Sequence, residues 1–216
     1  MNPPTHLRRP GHWLQIGGRL LLLSLALACA SAPAAPEPVV PGGLTGRVFD
    51  AETAAPLDQA FVILVANSAR PQMAMTDRQG FFALEVPSGN YEITVALDGF
   101  EDAKLGGPER MQHPVVRLRR ARPWASPRRI QPPRMLGGPN PVYTVEALQQ
   151  RSQGMMLVRC AVLLDTQVEG CVILRGLPAM NESVRFAYEH RRYAPAVIDG
   201  VPTAVDFVFR MTLALE

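Results

Sequence analysis

The chain has 216 residues, 47% of them hydrophobic and 19% charged, and its formal net charge is +3. After removal of an N-terminal leader, this length is enough for one ordinary domain or for two small ones. The four histidines and three cysteines show no HExxH or CxxC arrangement, so we expect no metal site.

The first 28 residues have the pattern of a signal peptide. Arg8, Arg9 and Arg19 carry positive charge without an acidic neighbour, and an apolar run follows from Leu20 to Ala28. This run has nine residues, whereas a membrane-spanning helix needs roughly 20. We therefore expect export and cleavage, and an exported chain makes a nucleic-acid partner improbable.

The cysteine that follows the apolar run suggests a lipid anchor. The sequence Ala26-Leu27-Ala28-Cys29 resembles the lipobox of bacterial lipoproteins, although Ala26 stands where that family usually has a larger aliphatic residue. The resemblance implies a lipid on Cys29 that tethers the chain to a membrane of the cell envelope, on the periplasmic side. Ordinary secretory cleavage nearby and an uncut anchor stay open as alternatives, and so does the choice of membrane.

The next two segments are a tether and a β domain. Residues 29–42 are small and proline-rich, which is typical of an extended tether. Residues 43–120 consist of short alternating apolar runs separated by turn residues such as Asp77, Gly80 and Gly89. This pattern predicts an all-β sandwich of antiparallel strands.

Two stretches of this segment resemble a known family. They read GLTGRVFDAETAAPLDQAFVIL and TDRQGFFALEVPSGNYEITVALDGF, and they are similar to the carboxypeptidase regulatory-like domain, a transthyretin-type β-sandwich. In proteins that carry this module it is a non-catalytic accessory domain. The resemblance therefore implies that Asp50, Asp77 and Asp98 are turn residues and carry no chemistry.

Residues 121–141 read as a basic, proline-rich linker. From Arg117 to Arg134 there are seven arginines and no acid, so the segment is predicted to be extended and solvated. These arginines could contact anionic lipid or a cell-wall polymer. A spacer that only keeps the chain soluble explains the composition equally well.

Residues 142–216 have a mixed pattern. Two short helical segments, a hairpin and a long final strand predict a small α+β domain with a three-stranded antiparallel sheet and helices on one face. The final strand alternates, and its apolar positions are Val205, Phe207, Phe209, Met211 and Leu213. Within the hairpin, Cys160 and Cys171 share a face if Thr166 and Gln167 form a two-residue loop, and a one-step shift separates them. A disulfide and two reduced, buried thiols are both compatible with the sequence.

Residues 138–216 are similar to the C-terminal domain of TonB, the periplasmic protein that passes inner-membrane energy to outer-membrane receptors. The residues that carry this resemblance are Tyr193, Pro195, Asp199, Gly200 and Pro202. The cysteine pair and the glycine missing from the turn at Asp165 depart from the family pattern. A lipid tether departs further, because TonB acts through an uncleaved transmembrane helix.

Strand addition does not need that helix, because an open sheet edge can accept an extended peptide. The candidate edge is the final strand, from Val205 to Leu213, although a strand that only closes the core would show the same alternation. No catalytic motif or cofactor-binding loop is present, so we expect no enzyme and no cofactor.

Two functional hypotheses follow from the sequence. The first is a non-catalytic envelope protein of the TonB family that binds an outer-membrane receptor or another periplasmic partner and supports transport. The second is a lipid-anchored structural or glycan- or protein-binding module without energy transduction. The sequence does not indicate an oligomeric state.

Overall fold

The first sheet is built around the strand that opens the folded part of the chain. The computed structural model describes residues 43–67, 69–105 and 113–215, so Cys29, the predicted signal peptide and the tether lie outside the described residues. Strand β1 (Gly43–Asp50) lies between β4 (Phe81–Glu85) and β7 (Val115–Leu118). The pairing with β4 is antiparallel and the pairing with β7 is parallel.

The second sheet has seven strands, which come from both the first and the last parts of the described sequence. Its order is β11-β10-β15-β3-β2-β5-β6. The strands are β2 (Phe61–Ala66), β3 (Gln72–Met75), β5 (Tyr91–Ala96), β6 (Ala103–Leu105), β10 (Gly154–Val162), β11 (Val168–Arg175) and β15 (Val205–Leu213).

The two sheets enclose an apolar core in the manner of a sandwich. Val48 of β1, Phe82 of β4 and Val62 of β2 are fully buried there, because alternate residues of each strand face the opposite sheet. Leu157 and Val208, which are far away in sequence, belong to the same core. The protein is therefore mostly β with several sheets, as expected for a β-sandwich.

The two helices follow the C-terminal strands. They are α1 (Val145–Gln149) and α2 (Asn181–Glu189). Helix α2 packs against β11 and β10, and its buried stripe is Val184, Ala187 and Tyr188, one helical turn apart. The hydroxyl of Thr144 accepts a hydrogen bond from the backbone N–H of Ala147 and so caps α1.

Short strands join the basic segment to the C-terminal residues. Strand β8 (Ile130–Gln131) pairs with β13 (Ala196–Ile198), which continues into β14 (Val201–Thr203). Strand β9 (Arg134–Gly137) pairs with β12 (Arg192–Ala194). The segment expected to be a solvated linker is thus extended but lies along the body of the protein, because its backbone is paired.

The sheet itself differs from the predicted arrangement. Strands β11, β10 and β15 are antiparallel neighbours as expected, but they continue directly into the sheet of residues 43–105. The reason is a parallel pairing of β15 with β3, which the sequence did not indicate. No helix in the described ranges is both long and apolar enough to span a bilayer.

Candidate binding edges

The final strand β15 was the predicted site of strand addition, and the structure corrects this prediction for part of its length. One side of β15 pairs with β10 along the whole strand. On the other side Asp206, Phe207 and Val208 pair with β3, so the protein's own backbone occupies that part of the edge. No described strand pairs with Phe209 to Leu213 on this side.

The apolar side chains of β15 close a core. Val205, Phe207 and Phe209 are buried, and Met211 and Leu213 pack against the same cluster as Val184 of α2. Their alternation thus reflects burial under the helices, which was the second reading of the pattern.

Apolar contacts and ion pairs together hold β3 against β15. Met73 of β3 and Ile63 of β2 are buried in the C-terminal core. Among the described residues, three ion pairs join the segment before position 90 to the segment after position 150. They are Arg70–Asp206 at 3.2 Å, Arg159–Glu85 at 2.7 Å and Arg210–Asp77 at 3.1 Å. These contacts make the junction a fixed part of the fold.

Arg210–Asp77 is the one of these three pairs in which both side chains are largely enclosed, with exposures of 24% and 21%. One terminal nitrogen lies 3.1 Å from Oδ2 of Asp77, and the other donates to the carbonyl of Phe81 at 3.1 Å. Burial lowers the pKa of Arg210, and the charge of Asp77 opposes that shift. A cavity of about 350 Å³ opens beside this pair, where β3 ends and β15 continues.

Strand β11 forms one of the two borders of the large sheet. Among the described residues no strand lies beyond it, so one row of its backbone donors and acceptors has no strand partner. Val172 in the middle of β11 is 42% exposed. This edge was not predicted, because the exposure of Val172 is evident only in the folded structure.

A disulfide links β11 to β10. The sulfur atoms of Cys160 and Cys171 are bonded, and their Cα atoms lie 4.2 Å apart. The expected two-residue turn does not form, because Val162 pairs with Val168 across a longer loop. Gly170, with φ of 57°, lies at a break in the register and brings Cys171 onto the face of Cys160.

The residues that carry the TonB resemblance lie around α2 and the β13–β14 hairpin. Tyr193 is buried, and its ring packs 4.8 Å from that of Phe209. Burial raises the pKa of Tyr193, against the influence of nearby Arg191. Pro195 separates β12 from β13, and Pro202 lies opposite Val197 in the hairpin.

Asp199 and Gly200 form the turn of this hairpin, with φ of 52° and 84°. The backbone N–H of Asp199 donates to the carbonyl of Arg129 at 2.8 Å. The Asp199 carboxylate accepts in turn from the N–H of Arg129 at 3.0 Å. The turn therefore anchors the basic segment, a role that its residue types alone did not reveal.

Several arginines of the 117–134 segment are neutralised by carboxylates of the sandwich. Arg120 pairs with Asp50 and Glu52. The pKa of Asp50 is lowered mainly by backbone hydrogen bonds to its carboxylate, and the charge of Arg120 lowers it further. Two further pairs are Arg122–Glu101 at 2.9 Å and Arg128–Asp102 at 3.8 Å. In the described part of the chain, Arg117, Arg119, Arg129 and Arg134 form no ion pair.

In the part of the chain that the structure describes, no set of side chains with an evident chemistry comes together. The described ranges contain no group of three or more His, Cys, Asp or Glu residues able to hold a metal ion. His113 contacts Thr45 and His190 contacts the carbonyl of Phe186, so the two histidines lie in separate local environments. The candidate sites are therefore sheet edges and surfaces.

Comparison with known proteins supports the first resemblance. A family model for the carboxypeptidase regulatory-like domain matches residues 43–112, which confirms that prediction. A solved DUF3823 family protein from Parabacteroides merdae is 13% identical over 73% of this chain and 97% of its own, with a TM-score of 0.27. A streptococcal ancillary pilin is 12% identical over 81% of this chain and 59% of its own, also with a TM-score of 0.27. These scores support no argument about function, and no curated protein matches this chain.

Proposed function

We propose that this protein is a non-catalytic component of the bacterial cell envelope that binds a partner by β-strand addition. The partner is an outer-membrane receptor or another periplasmic protein that presents an extended segment. The observation that carries the proposal is the position of β11 as the terminal strand of the seven-stranded sheet. Its free backbone groups can hydrogen-bond an added strand.

Two features suit β11 to this role. The disulfide between Cys160 and Cys171 holds β11 against β10, so the edge is already ordered before a peptide binds. Val172 offers exposed apolar surface beside the backbone groups. The proposed accepting edge is therefore β11 and not the final strand β15.

The finer part of the proposal is a TonB-type relationship for residues 138–216. The strand order β11-β10-β15 and the packing of α2 against β11 and β10 support this part of the proposal. Lipidation at Cys29 would hold the protein at a membrane without a helix through which a motor could act.

A second candidate function is a rigid, lipid-anchored binding module without energy transduction. The pairing of β3 with β15 favours it, because residues 43–105 and the C-terminal strands share one sheet. A chain built in this way can present two surfaces in a constant relative orientation, as an assembly or adhesion component requires.

Photo-crosslinking in bacteria that express the full chain tests the proposed edge. A photoreactive residue at Val172 should give adducts with envelope proteins. The matched control is Val65, which is 47% exposed but lies on the interior strand β2. Adducts at both positions, or at neither, would contradict strand addition at β11. Labelling with a radioactive lipid precursor, compared between the natural chain and Cys29→Ala, tests the anchor separately.

A further inference from the structure

The exposed side of strand β7 differs in chemistry from its buried side. Val116 and Leu118 point into the sandwich core and are almost fully buried. The intervening residues Val115 and Arg117 face outward, and Arg119 directly after the strand is exposed as well. Val115 is 59% exposed, which is unusual for a valine within a sheet.

The neighbouring strand β1 continues this surface. Arg117 lies opposite Phe49, and Val115 lies opposite Arg47, in the parallel register of the two strands. Paired residues of neighbouring strands share a face, so apolar and guanidinium groups alternate across the two strands. We call the surface formed by Phe49, Val115, Arg117 and Arg119 the basic face.

Among the described residues, no ion pair balances the positive charge of the basic face. Arg120, Arg122 and Arg128 each pair with a carboxylate of the sandwich. In the described ranges Arg117 and Arg119 have no such partner, and no acidic residue occurs in sequence between positions 113 and 145. The face therefore has free guanidinium groups for an anionic ligand.

An anionic lipid surface fits this arrangement. Guanidinium groups bind phosphate oxygens in a bidentate manner, and apolar side chains between them can enter the headgroup region. The chain outside the described residues also leads to this sheet. Cys29 lies 14 residues before Gly43, where β1 begins. A fully extended chain of this length spans roughly 50 Å at most.

We propose that the basic face, chiefly Arg117, Arg119 and Val115, binds the anionic surface of the membrane to which Cys29 would be tethered. The inference rests on the proposed envelope location and is independent of strand addition at β11. It gives the tethered domain a preferred orientation on the membrane. Each of the two arginines should contribute about fivefold to membrane partitioning at low salt.

Co-sedimentation with lipid vesicles tests this inference. The chain from residue 29 onward, with Cys29→Ser to prevent lipid attachment, is mixed with phosphatidylcholine vesicles with or without phosphatidylglycerol. We expect binding only to the anionic vesicles, and the double variant Arg117→Gln/Arg119→Gln should weaken it by at least tenfold. Added salt should weaken binding of the parent chain in the same direction.

The control variant Arg78→Gln/Arg151→Gln has the same change in charge at two exposed arginines outside the basic face. We expect this variant to bind like the parent. Equal losses in both variants would show a general charge effect and overturn the proposal, as would unchanged binding of the Arg117/Arg119 variant. The crosslinking result at Val172 does not depend on either outcome, so the two proposals can fail separately.

Discussion

Met73 of β3 lies directly opposite Phe207 of β15 in a parallel register, and both side chains are buried in the same core. The two residues are separated by most of the described sequence, yet they join neighbouring strands of one sheet. The carboxypeptidase regulatory-like segment and the C-terminal strands are therefore parts of a single structural unit.

The first prediction is that removal of the Met73 side chain destabilises both segments together. Met73→Ala should lower the free energy of unfolding by about 2–5 kcal/mol, because the side chain is fully buried. Hydrogen exchange should accelerate equally in β5 and β10, with one unfolding transition. Val65→Ala, at an exposed position, is the control and should change little. Two separate transitions would contradict a shared core.

The second prediction concerns the ion pair between Arg210 and Asp77. A double-mutant cycle with Arg210→Met and Asp77→Asn should give a coupling free energy of about 1 kcal/mol or more, because both groups are largely shielded from solvent. Asp77→Asn keeps the side-chain oxygen that accepts from the N–H groups of Gln79 and Phe81. It therefore tests the charge and leaves the turn intact.

The control for this cycle is the pair Lys104–Glu92, at 2.7 Å but with both side chains more than half exposed. Its coupling should be near zero, since solvent screens exposed ion pairs. Denaturant unfolding of the single and double variants measures both cycles. A coupling for Arg210–Asp77 no larger than that of the exposed pair would show that the Arg210 charge does not hold the junction.

Local sequence patterns predicted many of the individual elements. Alternation identified β1, β4, β5 and β15, and the helical stripe identified α2, because each pattern depends on neighbours a few residues away. The pairing of Gln72–Met75 with Val205–Leu213 left no such trace. Both strands alternate as any half-buried strand does, and a long-range parallel contact needs no turn to mark it.

The candidate site could be predicted only in part for the same reason. The sequence predicted that all arginines of the 117–134 segment are solvated. In the structure, three of them form ion pairs with Asp50, Glu101 and Asp102. Asp50 precedes a turn of the sandwich, and Glu101 and Asp102 follow one. Their arginine partners come close only when the chain folds back. The free arginines of the basic face could be distinguished only after those pairs were known.

The third prediction is that reduction of the Cys160–Cys171 disulfide destabilises the protein. The bond closes a loop between residues 11 positions apart, which corresponds to about 3 kcal/mol of unfolded-state entropy. Denaturant midpoints with and without reductant measure the loss. The variant Cys160→Ala/Cys171→Ala should be insensitive to reductant. If the variant responds to reductant as the parent does, the effect does not come from this bond.

The fourth prediction is that Asp199 controls access to the basic segment. Asp199→Ala removes the acceptor for the N–H of Arg129, so β8 should detach more often from β13. Trypsin cleavage after Arg128 or Arg129 should become several-fold faster. Asp165→Ala, which removes a similar side-chain bond in the distant β10–β11 loop, is the control. Equal cleavage of the parent and Asp199→Ala would show that β-pairing alone holds the segment.

The fifth prediction is a loss of stability at alkaline pH through Tyr188. Burial, with a smaller contribution from Tyr193, raises the pKa of Tyr188 from 10.0 to about 12, and Arg191 opposes the shift. The unfolded chain therefore loses its proton first as the pH rises. The stabilisation is complete below pH 10 and is lost by about pH 12, which amounts to roughly 2–3 kcal/mol. Unfolding monitored between pH 9 and pH 12 should show this decline, and Tyr188→Phe should reduce it to the part due to Tyr193. If Tyr188→Phe declines as steeply as the parent, another group controls the alkaline transition.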